Sequence, residues 1–353
     1  MSRWREILFA LAAASISIPA FATERPPQFV AIAFDNCTEL SRWKELSEFA
    51  ARMNRGGNPV HFTFFVSGIN LLADDRRNLY QGPHQRRGYS MINFGGSTED
   101  VAGRVEYMNA MHAEGHEIAS HAIGHFDGRH WSEADWTEEL KNYRALAERV
   151  AGNNGLPESA KLSFPASEIA GFRAPYLSWS PGLYPALRKE GFRYDTSDTM
   201  RPDQWPQKKD GLWRFNLAEI RLARSRKMTL SMDYNFFIVQ SLGLDSSARR
   251  AKDRDEMLET YADYFKANYF GNRAPIHIGH HFSPYHGNAY NEALLTFAER
   301  VCGLPEVQCV TYRKLADFMD GLDAETLRAY QKGDFPHATQ PLILLDRPAA
   351  SVK

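Results

Sequence analysis

The sequence has little cysteine, no excess of either charge, and no long apolar segment after its first 22 residues. Three cysteines in 353 residues allow one disulfide at most, for which the closely spaced Cys302 and Cys309 are candidates in an oxidising compartment, leaving Cys37 as a thiol. The 42 basic and 43 acidic side chains nearly balance, so no net positive charge attracts nucleic acid or an anionic membrane. Neither a repeat nor a break in composition divides the chain, so a single large domain is expected.

The first 22 residues have the pattern of a secretory signal peptide. Arg3 and Arg5 precede an apolar run at residues 7–19, and residues 20–22 (Ala-Phe-Ala) form a small-x-small cleavage sequence. Because the run is too short to cross a bilayer comfortably, we expect it to be removed. The mature protein would begin near Thr23 and be soluble in the periplasm or outside the cell. An uncleaved amphipathic helix is the alternative.

Strand-like and helix-like segments alternate along the remaining chain. Strands are predicted at residues 29–34, 61–66, 116–120, 169–172, 228–232 and 275–280, and helices at 39–53 and 132–150. Such β-α units predict an α/β domain at residues 23–325, a distorted (β/α) barrel of about seven parallel strands, closed or nearly closed. Residues 67–100 form a long insertion, and loops of that length are usually either functional or disordered; its arginines are either part of that function or only a solvated surface. Residues 326–353 are expected to be a C-terminal tail.

Two histidines, His121 and His125, follow the apolar segment 116–120 at an interval of four residues. Two imidazoles at that interval can face one point, either across a helical turn or from a strand end into a loop, which is the geometry that zinc requires. The pair is therefore a candidate metal site. The alternative is a helix cap next to a surface histidine.

Polar residues come directly after other predicted strands, where barrel enzymes carry their chemistry. Asp35 ends the first strand as a candidate general base, and the neighbouring Asn36 can offer a carbonyl oxygen to a cation. In Arg173-Ala174-Pro175-Tyr176, the arginine can hold a carboxylate and the rigid bend can direct a backbone N–H into the cavity. Asp233 follows the strand at 228–232. Taken singly, each of these segments could be only a turn or a helix cap.

The last predicted strand ends in two adjacent histidines. Alternation places Ile276, Ile278 and His280 on one face of the strand, and His277 and His281 on the other. If the apolar face lines the barrel interior, His280 is the inward residue, and this is our prediction. His281 is the alternative, because the strand can end before it.

In this order the motifs resemble those of the polysaccharide deacetylase family of carbohydrate esterases, over about residues 29–319. His121-Ala122-Ile123-Gly124-His125 is similar to the family's metal-binding H-(S/T)-x-x-H, Arg173-Ala174-Pro175-Tyr176 to its R-x-P-Y, and Ile278-Gly279-His280 to the L-x-H segment that supplies the catalytic acid. Asp35 falls on the catalytic base. Asp233 falls on the acid that holds the histidine, although its flanking residues differ from the usual motif.

The resemblance implies a divalent metal, zinc or another, held by His121, His125 and Asn36. The family usually has a second aspartate at the position of Asn36 and a glycine at that of Cys37. Because an amide oxygen is a weaker ligand than a carboxylate, the metal should be held less tightly.

The implied reaction is the removal of N-acetyl groups from the amino sugars of a polysaccharide, either peptidoglycan or an exopolysaccharide. Asp35, oriented by Arg173, would act as the base, and the N–H of Tyr176 would stabilise the oxyanion. His280, kept charged by Asp233, would protonate the leaving amine. The alternatives are a metal-independent hydrolase of a non-sugar amide and an inactive carbohydrate-binding protein, although an intact Asp35 argues against the latter.

Overall fold

A computed structural model describes residues 23–339 of the chain. The strands are β1 Gln28–Asp35, β2 Thr63–Val66, β3 Glu117–Ser120, β4 Gly171–Phe172, β5 Tyr194–Asp195, β6 Thr199–Met200, β7 Gln207–Lys209, β8 Leu212–Arg214, β9 Leu217–Arg221, β10 Met228–Leu230, β11 Ile276–His281 and β12 Val307–Cys309. The α-helices are α1 Leu40–Arg55, α2 Thr98–Ala113, α3 Glu133–Glu148, α4 Val150–Asn153, α5 Leu183–Lys189, α6 Asp233–Ser241, α7 Arg250–Phe270, α8 Ala289–Val301, α9 Tyr312–Asp320 and α10 Ala324–Lys332. The 3₁₀-helices are Gly68–Leu71, Asp74–Leu79, Ala166–Glu168 and Pro175–Leu177. The predicted signal peptide lies outside the described residues.

The main sheet contains seven strands that pair in parallel, in the order β11-β1-β2-β3-β4-β5-β8. Strand β7 adds antiparallel to β8 at one edge, and β12 pairs in parallel with the start of β1. The sheet curls into a half-barrel with helices around it, which confirms the predicted distorted (β/α) barrel.

Most of the segment at 228–232 lies outside the main parallel sheet, contrary to the prediction, and only Met232 forms a parallel bridge, with Gly279 of β11. The β10 part of the segment pairs antiparallel with β9 in a smaller sheet that also contains β6. The smaller sheet meets the barrel at β11, where Gly279 N donates to Ser231 O at 2.9 Å. This junction brings Asp233, the first residue of α6, beside the end of β11.

The two faces of β1 show how the core is divided. Val30, Ile32 and Phe34 belong to the large cluster packed against the helices, whereas Ala31 and Ala33 belong to a second cluster on the inner face of the sheet. Alternation along β1 then turns Asp35 inward as well.

The insertion at 67–100 and the expected C-terminal tail are both packed in part. In the insertion, Leu71, Leu72 and Tyr80 are buried. In the expected tail, α10 ends at Lys332, and Phe335 is fully buried next to Tyr330. Packed chain therefore continues beyond residue 325, because these aromatic side chains bury apolar area.

Cys302 and Cys309 form the disulfide that their spacing suggested, and Cys37 is a buried thiol. The bridge ties the end of α8 to β12. No helix within residues 23–339 is both long enough and apolar enough to cross a membrane.

Candidate active site

Four candidate residues lie at the carboxyl ends of neighbouring parallel strands. Asp35 ends β1, and His281 ends β11 as its partner in register. His121 follows β3, and Arg173 follows β4, the strand that pairs with β3. Because the carboxyl ends of parallel strands meet at one end of a barrel, these side chains gather in one cleft.

Asp35 is a buried carboxylate held by an arginine. Arg173 Nη1 donates to Asp35 Oδ1 at 2.8 Å, and both side chains are at most 3% exposed. Arg173 Nε donates to Thr196 Oγ1 at 2.8 Å, and the guanidinium stacks on the Phe65 ring at 4.3 Å. The arginine thus orients the carboxylate and offsets the cost of burying its charge.

His121 and His125 face each other, with their ring centroids 5.1 Å apart. His121 Nδ1 donates to Arg173 O at 2.8 Å, so its Nε2 carries no proton in the neutral ring. Burial lowers the pKa of both imidazoles, that of His125 to about 3. Both rings are therefore neutral, as metal ligands must be.

The third candidate ligand, Asn36, lies in a left-handed turn directly after Asp35, with φ 51°. Its Oδ1 accepts a hydrogen bond from Ser67 Oγ at 3.2 Å. Within residues 23–339, no group of three or more His, Cys, Asp and Glu side chains is placed to hold a metal ion. Two neutral imidazoles suit a borderline cation such as zinc, and an amide such as that of Asn36 supplies a neutral oxygen donor.

The structure corrects the prediction for the adjacent histidines. Strand β11 continues to His281, and its apolar residues Ile276 and Ile278 belong to the cluster against the outer helices. His280 shares that outer face, fully buried, whereas His281 lies on the face of Asp35. The reason is that β11 pairs in register with β1, where Phe34, the partner of His280, packs against the outer helices and Asp35, the partner of His281, faces the cleft.

The contacts of His280 are those of a neutral structural residue. Its Nε2 accepts from Tyr261 Oη at 3.0 Å, and its Nδ1 donates to Asn291 Oδ1 at 3.4 Å. Asp233 Oδ2 lies 3.8 Å from the same Nδ1, yet burial lowers the pKa of His280 to about 4. His280 is therefore neutral over most of the physiological range.

His281 and Asp233 form the second charged pair of the cleft. His281 Nδ1 donates to Asp233 Oδ1 at 2.7 Å, and His281 N donates to Asp233 Oδ2 at 2.8 Å. Burial alone would lower the pKa of His281, but the Asp233 carboxylate raises it above its ordinary value. For Asp233, burial is outweighed by the histidine charges, chiefly that of His281, and its pKa is lowered. The pair therefore favours a protonated imidazole.

Exposed tyrosines border the cleft. Tyr176, in a left-handed turn with φ 59°, is 59% exposed and packs its ring 4.6 Å from that of His125. On the other side, Tyr234 is 46% exposed and its ring lies 5.7 Å from that of Tyr285, which lies 5.7 Å from that of His281. Such rings offer flat apolar faces with a polar tip.

The sequence-based reasoning missed Thr196 and Tyr285. Thr196 follows the carboxyl end of β5 and holds Arg173, so it obeys the rule that identified the other residues. Thr196 was not identified because β5 contains only two residues, too few for the alternation of a strand to be recognised. Tyr285 lies in the loop after β11, four residues from His281, and this interval was not used as a signal there because no helix or strand was predicted over it.

No family model matches the chain. Among curated proteins, chitin deacetylase 1 of Bombyx mori is 26% identical over 181 residues, covering 49% of this chain. The match spans a quarter, 25%, of that relative's own length.

Similar folds occur among solved structures at low identity. A structure named as a polysaccharide deacetylase of Mycobacterium smegmatis is 19% identical with a TM-score of 0.48, covering 94% of this chain and 99% of that one. The chitin deacetylase of Colletotrichum lindemuthianum is 14% identical with a TM-score of 0.41, covering 80% and 87%. A Bacillus anthracis structure named as a family 4 carbohydrate esterase pseudoenzyme is 8% identical with a TM-score of 0.42, covering 82% and 66%. The chain is thus similar in sequence, over 49% of its length, to a protein named as a chitin deacetylase, and the motifs that resemble those of the polysaccharide deacetylase family lie at the strand ends of its barrel.

Proposed function

We propose that the chain is an exported hydrolase that removes N-acetyl groups from the amino sugars of a polysaccharide. The observation that carries the proposal is the opposed environment of Asp35 and His281 in one cleft. Asp35 has an arginine partner, and His281 has a carboxylate partner that favours its protonated form. A buried carboxylate oriented by an arginine suits a general base, and an imidazole whose protonated form is favoured suits a general acid.

In the proposed reaction, Asp35 accepts a proton from water while the water oxygen bonds to the acetyl carbon. Arg173 fixes the direction of the carboxylate. As the C–N bond breaks, His281 donates its proton to the amine nitrogen, and acetate and the free amine leave. Asp233 holds the imidazole in the orientation and charge state for that donation. The N–H of Tyr176 is the proposed donor to the carbonyl oxygen as its negative charge develops.

The proposal includes a divalent metal, zinc in the first instance, at His121, His125 and Asn36. When bound there, the cation would polarise the acetamide carbonyl. The hydrogen bond from His121 Nδ1 to Arg173 O fixes the orientation of that ring. Since no ligand of the three is anionic, the affinity should be lower than that of a site with a carboxylate ligand.

A polysaccharide substrate is supported by the exposed tyrosine rings on both sides of the cleft, since sugar rings pack on flat aromatic faces. The similarity to a protein named as a chitin deacetylase supports the same class. Export is supported by the signal-peptide pattern of residues 1–22. Peptidoglycan and exopolysaccharide are the two substrates we propose.

A second candidate, a metal-independent hydrolase of a non-sugar amide, is favoured by one observation. The residues that the structure describes contain no group of three His, Cys, Asp and Glu side chains that could hold a metal ion. Asp35 and His281 would then act on an amide without help from a cation.

The decisive experiment measures acetate release from peptidoglycan, chitin oligomers and an exopolysaccharide, with metal analysis of the same sample. Acetate from one of these glycans, with zinc bound in a ratio near one and acetate release abolished in Asp35→Asn, is the expected result. Acetate without bound metal, or release only from a non-sugar amide, would favour the second candidate. Glycan binding without acetate release would mean that the chain is an inactive binding protein.

A further inference from the structure

The loop that carries His121 and His125 rests on a buried carboxylate. Glu139, in the second turn of α3, is fully buried. Its Oε1 accepts from Ile123 N at 2.9 Å and from Gly124 N at 3.4 Å. Both amides belong to residues between the two histidines, so Glu139 anchors the backbone of the loop that carries the two imidazoles.

The insertion supplies the third donor to this carboxylate. Tyr80 Oη lies 3.0 Å from both carboxylate oxygens of Glu139. A Cβ added at Gly124 would lie 2.8 Å from Tyr80 Oη and 2.4 Å from the ring of Phe126, closer than side chains pack. The glycine of the two-histidine motif therefore leaves room for the tyrosine to reach Glu139.

The backbone of the insertion supports the same loop. Gly68 N donates to Ala122 O at 2.8 Å, and Met91 N donates to Gly124 O at 2.9 Å. The loop is thus held from one side by the insertion and from the other by α3. Ala122 and His125 have φ of 55°, and non-glycine residues keep this conformation only where their surroundings impose it.

The position of Glu139 is costly for stability alone. Its three hydrogen-bond donors, two backbone amides and a phenol, are all uncharged, and burial raises its pKa to about 7. A buried carboxylate without a cationic partner is expensive compared with an apolar side chain of the same size. The hydrogen bonds that Glu139 accepts from the histidine loop therefore explain its buried position better than a contribution to core stability does.

We propose that Glu139, together with Tyr80, is a positioning residue for the two-histidine site. It fixes the backbone of residues 122–124 so that the rings of His121 and His125 face one point. The inference rests on the proposed function for the metal, but the rigidity of the loop can be measured without it.

The test compares Glu139→Gln and Tyr80→Phe with a matched control, Glu117→Gln. Glu117 is also a buried carboxylate, with hydrogen bonds from Tyr194 Oη and Thr63 Oγ1 and, unlike Glu139, with an arginine nearby, since Arg313 Nε lies 3.8 Å from its Oε1. It lies at the start of β3, away from the loop. Equilibrium competition should show about tenfold weaker zinc binding in Glu139→Gln, the range for residues that support metal ligands. Amide hydrogen exchange of residues 121–125 should be faster in Glu139→Gln and Tyr80→Phe, and neither quantity should change in Glu117→Gln.

Zinc affinity and loop exchange equal to those of the parent in both variants would overturn the inference, as would equal changes in Glu117→Gln. If Glu139→Gln does not fold, Tyr80→Phe decides by the same two measurements. If the parent itself binds no zinc, the proposed metal site fails, and hydrogen exchange alone then judges the positioning role: faster exchange confined to the two loop variants supports it, and unchanged exchange refutes it.

Discussion

Replacing Asp233 with asparagine should move the alkaline limb of the activity profile to lower pH. Asp233 Oδ1 lies 2.7 Å from His281 Nδ1, and the two side chains are 1% and 13% exposed. Against the effect of burial, the carboxylate raises the pKa of His281. Because an opposite charge within 4–6 Å favours the charged form of a group, Asp233→Asn should lower the pKa of His281.

The direction in which the alkaline limb moves follows from the proposed role of protonated His281 as the proton donor. If His281 donates the proton, activity falls as pH rises through its raised pKa, and the variant should lose activity at a lower pH than the parent.

The histidine contribution to stability is fully present below its ordinary pKa, about 6.5, and is lost as pH rises through the raised value. The Asp233 contribution is present above its ordinary pKa, about 3.9, and is lost as pH falls through the lowered value. The variant should therefore be least stable, relative to the parent, between about pH 4 and 6.5.

Two measurements check this prediction: kcat against pH on one N-acetylated oligomer, and an NMR titration of the histidine signals without substrate. The control is Asp253→Asn, which removes another buried carboxylate that faces a histidine, since His286 Nε2 lies 3.2 Å from Asp253 Oδ2. Asp253 lies on α7, outside the strand-end cleft. An alkaline limb that stays in place in Asp233→Asn, or that moves equally in both variants, would refute the role of the pair.

The remaining predictions concern the base and the metal. Asp35→Asn should lower kcat about a hundredfold or more, with fold and zinc content unchanged, because amide hydrolysis needs a positioned proton acceptor; steady-state kinetics showing unaltered turnover would reject Asp35 as the base. His121→Ala or His125→Ala should lower zinc occupancy, and Asn36→Asp should raise zinc affinity by adding an anionic ligand. Equilibrium zinc titration that gives one affinity for all of these proteins would exclude the proposed site.

The barrel could be predicted because its longer strands are apolar runs. The predicted strand at 29–34 lies within β1, and the predicted strand at 61–66 contains β2. Ser132, the predicted start of a helix, caps α3 by accepting from Asp135 N. Strand β4 lies within the predicted strand at 169–172, whereas β5 and β8, with two and three residues, are too short for alternation and depend on tertiary packing.

The error at the end of β11 has a different cause. Alternation separates His280 from His281 but does not say which face of the strand lies inside the barrel. That choice depends on the neighbouring strand, where Asp35 pairs with His281 and Phe34 with His280. Phe34 packs outward, so its partner does too.

Glu139 could not be identified from the sequence for a related reason. An acidic residue in an amphipathic helix is usually taken to lie on the solvated face. Its burial follows from the position of the histidine loop against α3 and from Tyr80, which is distant in sequence. Neither contact joins residues that are close in sequence, so no local sequence pattern indicates it.

The central claim, that His281 is the acid of an active site formed by the strand ends, is tested most directly by comparing kcat of His281→Gln and His280→Gln on one acetylated oligomer. The claim predicts a loss of about a hundredfold or more in His281→Gln, the usual worth of a general acid, with the fold retained. For His280→Gln it predicts a kcat per folded molecule close to that of the parent. A large loss in His280→Gln with His281→Gln still active would contradict the claim and restore His280 as the acid.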